Sequence, residues 1–135
     1  MIDLSKKIGE MNFDGLLTGL EPAQQVQGGV IRKAADEAVT LKRGTILAKS
    51  SGTAGDGKLV ALGTAAGSNE TLTPDCILCD DIEVGTENDE PVAVYTAGCF
   101  DPEKVAVADE YTITESDKDA LRMRGIVFKA AAPAN

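Results

Sequence analysis

The chain is 135 residues long, with 43% hydrophobic and 26% charged residues. That is enough for one domain with a core of its own, and it lies outside the composition of disordered chains. A formal charge of -9 with only 4% aromatic residues removes the phosphate-neutralising surface and the stacking platform that nucleic-acid binding needs. Neither nucleic acid nor an anionic membrane surface is an expected partner. No apolar run approaches the roughly 20 residues of a bilayer-spanning helix.

Residues 1–24 spread their apolar side chains thinly, carry Gly9, Gly15 and Gly19, and stop at Pro22, which reads as a flexible arm. Asp3, Lys6, Lys7 and Glu10 interrupt any signal-peptide core, so synthesis in the cytoplasm without export is expected, and the Asn69-Glu70-Thr71 sequon then has no route to glycosylation. Within the arm, Phe13, Leu16, Leu17 and Leu20 fall at helical spacing, yet Gly15 and Gly19 each oppose a helix by about 1 kcal/mol.

From residue 25 the pattern changes to short β-like runs at 26–31, 45–49, 58–62, 76–84, 92–96, 104–107 and 125–129, several with strict alternation. They are separated by stretches rich in Gly, Ser, Asn and acids. This is the punctuation of a mainly β domain whose sheets bury one face. One helix is expected from Ser116, with Asp119 three residues on completing a capping box and Gly125 as a left-handed stop after Arg122 and Arg124. Residues 130–135, with Pro133, read as a frayed tail.

Motifs that suggest chemistry each have a plainer reading. Gly52-Thr-Ala-Gly-Asp-Gly57-Lys58 matches a P-loop until Leu59 replaces the magnesium-binding hydroxyl, and a strand follows where a helix N-terminus is needed. A hairpin around Asp56-Gly57 is expected instead. Cys76 and Cys79 lie three apart on a predicted strand, so they point to opposite faces and are expected to be buried thiols, as is Cys99. Asp80, Asp81, Glu83, Glu87, Asp89 and Glu90 lack the spacing of a calcium loop and read as a solvated acidic hairpin. With no histidine in the chain, no serine or cysteine has an evident base. No cofactor or metal set is expected, and the protein is not expected to be an enzyme.

Taken together, residues 41–48 (Leu-Lys-Arg-Gly-Thr-Ile-Leu-Ala), 57–60 (Gly-Lys-Leu-Val), 76–84 (Cys-Ile-Leu-Cys-Asp-Asp-Ile-Glu-Val), 91–98 (Pro-Val-Ala-Val-Tyr-Thr-Ala-Gly) with Phe100, and 121–127 (Leu-Arg-Met-Arg-Gly-Ile-Val) resemble the head decoration proteins of tailed phages. The resemblance covers about residues 25–129. It implies a bent β-ribbon, β-clip-like, with a partial barrel and one or two short helices. It also implies a late structural protein of the virion: a homotrimer that docks on the outer surface of the expanded capsid at threefold positions, cements the major capsid protein and so stabilises the head. The family's N-terminal arm orders against the capsid. On this reading Phe13, Leu16, Leu17 and Leu20 are the capsid-binding residues, adding a strand to a capsid sheet edge. Residues 1–24 depart from the family's arm in length and in carrying this apolar cluster. The plainer alternative is that these side chains pack on the protein's own core. A fibre-associated or adhesin module is the competing function, although tryptophan is absent and Tyr95 and Tyr111 are the only tyrosines available for stacking on sugars.

Overall fold

The computed structural model describes residues 16–19 and 23–129. In chain order the elements are β1 (Leu17–Gly19), β2 (Gln25–Ile31), β3 (Val39–Leu41), β4 (Ile46–Ser51), β5 (Leu59–Ala61), β6 (Thr71–Leu78), β7 (Ile82–Val84), β8 (Glu90–Phe100), α1 (Glu115–Arg124) and β9 (Ile126–Phe128). Strand β4 pairs antiparallel with β5 and β6, β6 with β8, and β8 with β2. The circuit then returns through one parallel pair, Ile31 with Leu59. The result is a partly closed five-stranded barrel in a mainly β fold with one helix.

Strand β8 is the spine. Its first half belongs to the barrel, while Gly98, Cys99 and Phe100 run on to pair with β9, and Phe100 and Cys99 also pair with β1. The separate ribbon of β3 and β7 pairs Val39 with Val84 and Leu41 with Ile82.

Two apolar clusters follow from the period of two along each strand. Ile31, Leu47, Leu59, Cys76, Leu78 and Val94 form one, with Val84 from the β3–β7 ribbon. Every barrel strand contributes to it, which identifies it as the barrel interior. The other lies outside the barrel wall, where Ile46, Ala48, Val60, Ile77 and Tyr95 meet Leu121 of α1 and Ile126 of β9. Strands β4, β5 and β6 are therefore buried on both sides, and their near-continuous apolar runs reflect that.

The predicted run 76–84 is two strands, because the chain reverses at Asp80 and Asp81, where the Asp81 carboxylate accepts from the Arg43 amide at 2.7 Å. Residues 104–107 form no strand, only a bridge from Ala106 to Thr45. Their alternation arises because Val105 and Val107 pack against the outer cluster. The cap lies two residues before the expected one: Thr114, not Ser116, is the N-cap, with Asp117 completing the box. Gly125 closes it in the left-handed region, as expected. The tail at 130–135 lies outside the described residues. Among the described residues no helix is long and apolar enough to cross a membrane.

Candidate docking surface

Of the four expected capsid-binding residues, Phe13 and Leu20 lie outside the described residues. Leu16 and Leu17 are at 1% and 4% exposure, inside the outer cluster. Leu17 pairs with Phe100, the Leu16 carbonyl accepts from the Asp101 amide at 2.8 Å, and the Thr18 hydroxyl donates to the Lys129 carbonyl at 2.8 Å. The packed body thus begins at least by Leu16, inside the segment expected to be an arm. Leu16 and Leu17 serve the protein's own core in this structure, as the plainer alternative holds. The sequence carries no local signal for this, because the partners are some eighty residues away.

The hairpin between β4 and β5 carries Asp56 and Gly57, the latter at φ +75°. Around it lies an ionic cluster. The Arg32 guanidinium donates twice to Asp56, at 2.9 and 3.0 Å, and also to Glu70. Glu70 further accepts from the Ser50 hydroxyl and, at 2.8 Å, from the Gly67 amide. Lys58, the would-be P-loop lysine, pairs with Asp89 at 2.5 Å, and Asp89 also accepts from the Lys33 amide at 2.9 Å. The Arg32 guanidinium holds the Asp56 carboxyl at about 2. The Gly67 amide, the Ser50 hydroxyl and Arg32 together hold Glu70 at about 2. These groups clamp loops over the β2–β5 seam, and their charges are engaged with one another.

A second knot lies under Tyr95, whose hydroxyl accepts from Arg43 at 2.8 Å while the guanidinium also bonds the Cys79 carbonyl at 2.9 Å and sits 5.5 Å from the ring centroid. Cys76 faces the barrel interior and Cys79 the outer cluster, so the thiols point apart, as the strand alternation predicts. All three cysteines are free and buried. Among the described residues no three acidic, cysteine or histidine side chains gather in a metal-binding group. An open groove of about 530 Å³ lies beside β5 and the 32–41 loop, and its Arg32 is already bonded to two carboxylates.

What the surface does present is the outer side of β2 and the adjoining half of β8. Val26 is 52% exposed and Val30 42%, and they flank Gly28, where a side chain would meet nothing within 4 Å. Gly28 lies opposite Ala93, and Val30 opposite Pro91. No charged residue occurs at 23–31 or 91–100. The signal was available in the sequence: an uncharged, valine-bearing strand in a chain with 26% charged residues. A scan of protein-family models and a search of curated proteins return no match to this chain.

Proposed function

We propose that this protein is a viral capsid decoration protein, a cement that binds the outer surface of an expanded phage head at threefold sites as a homotrimer and catalyses no reaction. The observation that carries the proposal is the architecture. A mainly β fold with a partly closed five-stranded barrel and one helix agrees with the partial barrel that the resemblance to head decoration proteins implies. Two further features support it. The ionic side chains of the barrel rim bond one another, which suits a rigid body. The exposed uncharged lane on β2 and β8 suits a protein surface as partner.

The physics of such a cement is linkage. A ligand that binds only the expanded lattice stabilises it by its differential affinity, and many copies multiply a modest contribution. In a trimer, one engaged contact raises the effective concentration of the next. Co-sedimentation of the purified protein with expanded and unexpanded capsids tests the proposal. Saturable binding to expanded shells alone is expected, and no binding to either overturns it.

A further inference from the structure

Strands β2 and β5 meet at Ile31 and Leu59, with the Arg32 amide donating to the Leu59 carbonyl at 2.9 Å. The chain's next bonds go to the β7–β8 loop instead. The Lys33 amide donates to the Asp89 carboxylate at 2.9 Å, and the Ala34 amide to the Gly85 carbonyl at 2.8 Å. The open groove of about 530 Å³ lies between this segment and β5, with Val39, Leu41 and Val84 of the β3–β7 ribbon along it. One wall is pinned by those bonds and the other by the pairing of β5 with β4, so the groove is formed before anything enters it.

Its lining is largely apolar. Ile31 and Val84 are buried members of the barrel interior, whereas Val39 is 44% exposed. Ala34, Ala35, Ala61 and Ala65 also line it, and side chains that end at Cβ leave its width open. The rim is acidic. Asp36 and Glu37 lie at the groove, and Glu87 and Glu90 line the hollow beside it, next to Ala38 and Gly85. Among the described residues none of these four carboxylates bonds a cation. Arg32 is taken up by Asp56 and Glu70, and Lys58 by Asp89, which leaves Lys33 to oppose four negative charges.

We infer that this groove is a docking site for a basic segment of a partner protein, with one or two large aliphatic side chains at the segment's centre. The aliphatic groups cover Val39 and Val84, and flanking lysines or arginines lay their stems along the alanines while their charged heads reach the carboxylates. Charge decides among the occupants. An uncharged segment takes water from the carboxylates without replacing it, and an acidic one is repelled. A second copy brings a net charge of -9 to the same rim. The chain's own residues 1–14 set Asp3, Glu10 and Asp14 against Lys6 and Lys7, so they offer no excess of positive charge. The site belongs to the open seam of the barrel and does not depend on the decoration reading.

The test is an NMR titration of the full chain with the capped peptide acetyl-Lys-Lys-Leu-Ala-Leu-Lys-Lys-amide. Saturable shifts at the Ala35, Glu37, Val39 and Ala61 amides are expected. Serines in place of the leucines should weaken binding by about tenfold or more, because the apolar contact is lost. Glutamates in place of the lysines should abolish it. Glu37→Lys, at an exposed side chain, should weaken binding about fivefold, and Glu103→Lys, the same charge change outside the groove, by less than about twofold. Leucine and serine peptides of equal affinity would reduce the rim to an unselective counter-charge and overturn the inference. So would binding of the glutamate peptide, equal losses from the two reversals, or absence of shifts at roughly millimolar peptide. Two further outcomes name another occupant. Shifts at the groove amides on concentrating the free protein make it a second copy, and the same shifts on deleting residues 1–14 make it the chain's own N-terminal segment; either one overturns the basic partner.

Discussion

Gly63 sits at φ +100°, and a side chain there would come 2.4 Å from Cβ and Cγ of Tyr111. Tyr111 in turn donates its hydroxyl to Asp117 at the start of α1, so the glycine lets a loop seat the ring that locates the helix. Gly63→Ala combines left-handed strain of about 1–2 kcal/mol with overpacking of about 1–3 kcal/mol. A loss of about 2–5 kcal/mol in urea unfolding is the expected result, with wild-type stability contradicting the packing described. The cysteines act at the same scale. Burial pushes the Cys76 thiol well above its ordinary range and Cys79 to about 11, and Cys99 is buried as well. At about pH 8 a thiol reagent should therefore label the folded protein slowly and all three sites at once on denaturation. The opposed facing of Cys76 and Cys79 was legible because it depends only on strand alternation. The contact of Gly63 with Tyr111 was not, since nothing local pairs residues that far apart.

Helix α1 shows why element boundaries are harder to read than elements. Ser116 with Asp119 and Thr114 with Asp117 satisfy the same capping pattern in two registers. The second is adopted: the Thr114 hydroxyl accepts from the Asp117 amide at 3.1 Å, and the Asp117 carboxylate accepts from the Thr114 amide at 3.0 Å. Asp117 gains the Tyr111 hydroxyl as well, a contact Asp119 lacks because it bonds Arg122 instead. Thr114→Ala should lower stability by about 1 kcal/mol, whereas Ser116→Ala should change it little; equal losses from both would place the cap wrongly. The C-terminal end was legible because Gly125 is a one-residue signal, and Arg124 reinforces it by pairing with Asp75 of β6 at 2.5 Å. Among strands, the runs at 45–49 and 92–96 marked β4 and β8, although β8 extends beyond its run at both ends, and the three residues of β1 and of β3 are too short to carry a period of their own.

At the scale of the whole molecule, the barrel closes through one backbone pair and a cluster of charges, so closure should respond to acid. Asp56 and Glu70 are held at about 2, below ordinary values of 3.8 and 4.5. The unfolded chain then binds more protons in that window, and stability is full above about pH 4.5 and is lost as pH falls toward about 2. Thermal melting across this range should show the slope, and Arg32→Ala should flatten it, since Arg32 is the largest cause of the Asp56 shift. The N-terminal segment poses the second whole-molecule question, because Leu16 and Leu17 belong to the core while Phe13 lies before it. Deleting residues 1–14 leaves both leucines and should preserve the melting temperature. Deleting residues 1–20 removes them with β1, and buried leucines are worth about 2–5 kcal/mol each when lost, so that truncation should be strongly destabilised. If the arm residues ahead of Leu16 grip a capsid, the shorter deletion abolishes co-sedimentation while the fold survives. If the grip lies in the folded body instead, the shorter deletion binds expanded capsids as well as the full chain does.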